Sequence, residues 1–142
     1  MATVYGYGVD LSKLSFTDEE AMKNFIKKYL PDEVENMEEN INENGMDVFE
    51  WIDNYDNGFG YHGLSAMLAD IINKREGVEF SAYDSIRNGC IYISANYPWH
   101  FNEKEKQLTS ASFSDIICKY LSQITSDVIA CESLDLYFES LD

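Results

Sequence analysis

Cations are missing from long stretches of this chain. Between residues 29 and 73 there are 11 Asp or Glu and no Lys or Arg. Residues 120–142 repeat the pattern, with 5 acids and no base. The other two stretches are balanced: residues 1–28 hold 4 acids and 4 lysines, and residues 74–119 hold 6 of each sign. The formal net charge of −16 therefore arises in two segments. Such a field opposes direct binding to DNA, RNA or an anionic membrane surface, because affinity for phosphate comes from Lys and Arg. Exposed helices usually mix signs to gain i,i+4 pairs, and the 45-residue blank forgoes that gain.

Other scarcities narrow the class further. With 2 prolines and 8 glycines there is no collagen-like or linker-like region, and no internal repeat is present. The three cysteines, Cys90, Cys118 and Cys131, are odd in number and widely spaced. They make no disulfide framework and are expected to be reduced thiols in a cytosol. No apolar run reaches the roughly 18 residues of a membrane-spanning helix. Met1 to Gly8 lacks the basic and apolar regions of a secretory signal, so a cytoplasmic location is expected.

What is abundant is core material. Hydrophobic residues make up 45% and aromatic residues 14%, too much for an acidic disordered tail. A chain of 142 residues fits one domain, 1–142. The Tyr- and Val-rich residues 2–9 predict a strand. Thr17 and Glu20 form a capping box ahead of a helix to about Tyr29, with Ala21, Met22, Phe25, Ile26 and Tyr29 inward. A second helix, Asp32 to Asn44, carries a thin stripe of Val34, Met37 and Ile41, and Gly45 stops it. A third, Met46 to Asn54, turns Val48, Phe49 and Ile52 inward, and Asn54 to Gly63 is a loop. A fourth, Leu64 to Lys74, packs Leu64, Met67, Leu68, Ile71 and Ile72 and ends at Gly77. Strands follow near 79–83 and 90–95, joined through Asn88-Gly89. Ser112 and Asp115 cap a fifth helix with Phe113, Ile116, Ile117, Tyr120, Leu121 and Ile124 inward. A last strand lies within 128–138. This order predicts an α+β domain: a small antiparallel sheet packed against four or five helices.

No motif spells out a reaction. Asp53 to Gly58 imitates a calcium loop, but Tyr55 and Leu64 fall where oxygen ligands belong. It reads as a solvated turn, with weak cation binding as the alternative. His62 and His100 are the only histidines, and neither sits in a zinc motif. A nucleophile elbow and a phosphate-binding loop are absent from the sequence. No catalytic residue, metal or cofactor is expected. A small enzyme using His62 or His100 remains as a minor alternative.

The acidic helices are the best candidates for function. Glu35, Glu39 and Glu43 recur every four residues and therefore share one helix face, with Asp32 and Glu38 beside them. Asp47, Glu50 and Asp53 recur every three residues on the next helix. Such a row can occupy Lys and Arg sites that normally hold phosphate, since arginine grips both anions with the same fork. The plainer alternative is a solvated outer face. Trp99, within Tyr97-Pro98-Trp99-His100-Phe101, is a candidate binding anchor or else an aromatic plug at the end of the core.

Three stretches carry a family resemblance: Tyr5-Gly6-Tyr7-Gly8-Val9-Asp10-Leu11-Ser12; Gly63-Leu64 with Ala66 and Ala69 through Ile71-Ile72; and Tyr97-Pro98-Trp99 with Glu103-Lys104-Glu105 and Leu108-Thr109. Together they resemble small acidic accessory proteins of tailed phages and prophages of Firmicutes, over much of the chain. The resemblance implies no reaction and transfers no functional residue. It implies a setting, the cytoplasm of a bacterial host. The expectation is a non-enzymatic inhibitor that offers carboxylates to a basic host protein, such as a nucleic-acid-binding defence or replication factor. It would act as an anti-CRISPR-like protein does, by nucleic-acid mimicry or steric block, without touching nucleic acid or membrane itself. The alternative is a phage structural or assembly accessory whose acidity serves solubility only. Oligomeric state is left open.

Overall fold

In the computed structural model, the described residues are 2–55, 63–84, 91–94, 103, 105–107, 110–129 and 131–138. The elements run β1 (Ala2–Asp10), α1 (Glu19–Tyr29), α2 (Val34–Glu43), α3 (Val48–Asp53), α4 (Leu64–Glu76), β2 (Ser81–Asp84), β3 (Ile91–Ser94), α5 (Ser110–Leu121) and β4 (Glu132–Phe138). Short 3-10 turns occupy Leu11–Lys13, Pro31–Glu33 and Glu105–Gln107. The strands are ordered β2-β3-β1-β4. Neighbours pair antiparallel, with Val9 opposite Ile93, Ala82 opposite Ile93, and Val4 opposite Leu136.

The expected class, α+β with a small antiparallel sheet packed against four or five helices, is corrected to a mostly helical molecule in which the four-stranded sheet is the minor part. Helical residues outnumber strand residues by about two to one, and the described core is helical. Met22, Phe25 and Ile26 of α1, Met37 of α2, and Val48, Trp51 and Ile52 of α3 are buried. They join Met67, Leu68, Ile71 and Ile72 of α4 and Phe113, Ile117, Tyr120 and Leu121 of α5 in one cluster. Among described strand side chains, the apolar ones in that cluster are Val9 and Ala82. The physical reason lies in the helices, which present whole apolar faces to one another.

α4 is the central element. Ser65, Ala66, Met67, Leu68, Ala69, Ile71 and Ile72 are all buried, so this helix is enclosed on more than one side. Its C-terminus is fixed twice. Gly77 adopts the left-handed conformation, φ 69°, which lets its N–H close on the Asn73 carbonyl. The Asn73 amide then bridges to the chain entering β2: Nδ2 donates to the Phe80 carbonyl at 2.9 Å, and the Phe80 N–H donates to Oδ1 at 2.7 Å. At the other end, the Gly63 N–H donates to the Tyr55 carbonyl at 2.9 Å and sets where α4 begins relative to α3.

Several boundaries move from their expected places. The cap of α1 is Asp18, whose carboxylate accepts from the Ala21 N–H at 3.0 Å; Thr17 is not the cap. α5 begins at Ser110, two residues ahead of Ser112. The second expected helix is a 3-10 turn at Pro31–Glu33 leading into α2, followed by Asn44 as C-cap and Gly45 at φ 66°. The strands at β2 and β3 form the expected hairpin, while its Asn88-Gly89 connection lies outside the described residues.

Candidate carboxylate ridge and adjoining cleft

α2 turns its glutamates, its asparagines and Met37 in different directions. An α-helix turns through about 100° per residue, so Glu35, Glu39 and Glu43 fall within an arc of about 80°. That arc lies opposite Met37, the one fully buried residue of the helix. All three glutamates are exposed, as are Asp32 and Glu38. Glu38 points elsewhere, toward α1, where its carboxylate stands 3.7 Å from Lys27 Nζ. Among the described residues, no cation lies within ion-pair distance of Glu35, Glu39 or Glu43. Residues four apart on a helix are separated by about 6 Å along its axis, which produces a regular row of negative charge.

The second acidic set is not equivalent to the first. Asp47 is the N-cap of α3, and its Oδ1 accepts from the Glu50 N–H at 2.9 Å. It therefore has a structural task that the ridge glutamates lack. Glu50 and Asp53 are exposed on the same short helix. Trp99, His62, His100 and residues 56–58 of the calcium-like loop lie outside the described residues. Among the described residues, no group of three His, Cys, Asp or Glu side chains is placed to hold a metal ion.

On the α3 side of α2 lies a cleft of about 260 Å³, lined by Glu33, Asn36, Asn40, Met46, Trp51, Asn54 and Tyr55. Hydrophobic periodicity does not reveal it. The signals that point to it are Asn at 36, 40 and 44, and aromatics at 51 and 55, both at helical spacing. The amides form a ladder: Asn44 Nδ2 donates to Asn40 Oδ1 at 2.9 Å, and Asn40 Nδ2 donates to the Asn36 carbonyl at 2.9 Å. The Trp51 indole N–H donates to Asn36 Oδ1 at 3.0 Å and joins α3 to α2. Behind the cleft the Tyr55 hydroxyl donates to Asp70 Oδ2 at 2.8 Å. Burial raises the Tyr55 phenol well above its ordinary value, and Asp70 and Glu33 add to the effect. Burial also raises the Asp70 carboxyl, against the opposing hydrogen bond from Tyr55.

The bases are gathered on other helices. Lys27 and Lys28 end α1, Lys74 and Arg75 end α4, and Lys119 ends α5, each where a helix dipole favours a cation. Lys28 Nζ and Arg75 Cζ stand 5.1 and 4.9 Å from the centre of the Tyr29 ring. Burial alone would raise the Tyr29 phenol, but the hydrogen bond from Gln123 and these cations outweigh it and hold the group below its ordinary value. Another groove, of about 310 Å³, opens between Ser15–Asp18 and Ser122–Ser126, and its carboxylate, Asp18, is engaged as the α1 cap. Among the described residues, no helix is long and apolar enough to cross a membrane.

Compared with protein-family models, curated proteins and solved structures, the chain matches none.

Proposed function

We propose that this chain is a binding protein whose α2 ridge occupies a cationic site on a basic partner and blocks it. The observation that carries the proposal is the exposure of Glu35, Glu39 and Glu43 on one arc, opposite the buried Met37 and without a cation partner among the described residues. Carboxylates spaced by about 6 Å along a helix are of the same order as successive phosphates on a strand, and arginine binds either group through two parallel hydrogen bonds. In the bacterial setting that the resemblance implies, the partner class is a nucleic-acid-binding defence or replication protein. The mode of action is mimicry of its nucleic acid, or steric occlusion, as in an anti-CRISPR protein. No reaction forms part of this proposal.

The test is affinity capture from bacterial host lysate with two baits, the wild-type chain and the Glu35→Lys, Glu39→Lys, Glu43→Lys variant, followed by mass spectrometry. The expected result is a nucleic-acid-binding protein of basic surface on the wild-type bait and its absence from the variant. The same protein on both baits would overturn the ridge as the binding element.

A further inference from the structure

We infer that the cleft between α2 and α3 is a receptor for one arginine side chain of the basic partner, an inference that rests on the basic-partner reading. The cleft lies inside the 45-residue stretch without Lys or Arg and flanks the ridge on the same helix. Its volume, about 260 Å³, falls below the roughly 300–1,000 Å³ of pockets that enclose whole small molecules, and suits a single side chain.

The one charged group of the lining, Glu33, favours a cationic donor. Several of the donors that could face the cleft are spent within the protein. The Trp51 indole N–H goes to Asn36 Oδ1, and the Tyr55 hydroxyl goes to Asp70. The Asn40 amide N–H goes to the Asn36 carbonyl and Oδ1, and the Asn54 amide N–H goes to the Glu50 carbonyl at 2.9 Å. Beside the amide N–H groups of Asn36 and the second N–H of Asn54, three acceptors are left: the half-buried Glu33 carboxylate, Asn54 Oδ1, and the second lone pair of Asn40 Oδ1. A guanidinium has five N–H donors in a fixed fork and can reach a carboxylate and neighbouring amide oxygens at once. The Trp51 ring is buried and meets the Tyr55 ring edge-on, 6.2 Å apart at 61°, so the half-buried Tyr55 ring is the surface left to a planar guanidinium, which stacks on aromatics better than an ammonium does. Lysine offers three donors on a compact, strongly hydrated head and cannot satisfy both the spread acceptors and the Tyr55 ring.

The experiment compares hexa-arginine with hexa-lysine as probes of the full chain, by two-dimensional NMR that follows the Trp51 indole N–H and the α2 amides. Hexa-arginine is expected to bind about two- to fivefold tighter at equal salt, the size of one cation–π contact at a partly exposed site. It should also shift the Trp51 indole signal, which hexa-lysine should leave in place. Asn54→Leu, which fills the cleft mouth, and Glu33→Gln, which removes its charge, are each expected to abolish the preference while both peptides still bind the ridge. Either variant suffices if the other fails to fold. Equal binding of the two peptides, with shifts confined to Glu35, Glu39 and Glu43, would overturn the cleft and leave the ridge standing. Binding of neither peptide would overturn both.

Discussion

α2 and α4 are helices of comparable length, 10 and 13 residues, with opposite relations to the rest of the molecule. α4 buries seven residues and ends in Lys74 and Arg75. α2 buries one, Met37, and has no base in its last turn. The difference separates an element that makes the fold from one that the fold displays. α2 holds its place through the Met37 plug and the Asn36–Trp51 hydrogen bond, with a weak exposed ion pair from Glu38 to Lys27. Its outward face contributes almost nothing to the core, so its composition is free to serve recognition.

The sharpest break of that comparison is in α4. Leu68→Ala is expected to cost about 2–5 kcal/mol, since Leu68 is fully enclosed and its neighbours come from several elements. Urea unfolding should show one cooperative transition shifted to lower denaturant, with all helices lost together. Met37→Ala is expected to cost less, about 2–3 kcal/mol, because α2 can settle inward from its open side. Hydrogen exchange should place the added opening in α2 and leave the α4 amides protected. Equal loosening of both helices would show that α2 belongs to the central cooperative unit.

These two cases also show how far the sequence could be read. The 3.6-residue spacing of Met67, Leu68, Ile71 and Ile72, and of Val34, Met37 and Ile41, marked both helices and their inward faces. Spacing did not reveal that Trp51 is buried and Phe49 only partly so, because both fit an apolar arc on a helix of 6 residues. The cleft was hidden for a different reason. Asn36, Asn40 and Asn54 have no apolar periodicity, and their roles arise only when α3 packs against α2 and brings the Trp51 N–H to Asn36. Asp18 took the α1 cap from Thr17 because a carboxylate next to the first helical residue is the better acceptor there.

A smaller effect is expected where α3 meets α4. Burial raises the Asp70 carboxyl in the folded protein. An acid shifted upward by folding contributes stability that is complete below its ordinary value and is lost as pH rises through the raised value. Asp70→Asn suffers no such loss and can still accept from the Tyr55 hydroxyl. It is expected to melt above the wild type at neutral pH, with the advantage vanishing as pH falls toward about 4, the ordinary carboxylate range. A constant difference across that window would mean that the charge of Asp70 costs the fold nothing.

The smallest effect concerns the display face itself. Crowded exposed carboxylates repel one another, and salt screens that repulsion over about 8–10 Å. Raising NaCl from low to moderate concentration should lift Tm by about 4 °C at most, the equivalent of roughly 1 kcal/mol or less. The charge-reversed ridge variant should lose most of that salt response. An unchanged Tm in the wild type would mean that the acids are already too far apart to interact.

The central claim, that α2 is a binding ridge, is tested most directly by affinity for the captured partner at two salt concentrations. Three proteins are compared: the wild type, the Glu35→Lys, Glu39→Lys, Glu43→Lys variant, and a Glu103→Lys, Glu105→Lys control in a segment of mixed sign, with circular dichroism to confirm folding. The ridge variant is expected to stay folded, because Met37 is untouched and lysine is a good helix former, and to lose binding while the control keeps it. The loss should lie mainly in association rate if the charges steer the encounter, and in dissociation if the pairs are buried at the contact. Equal losses in ridge variant and control, or undiminished binding by a folded ridge variant, would contradict it.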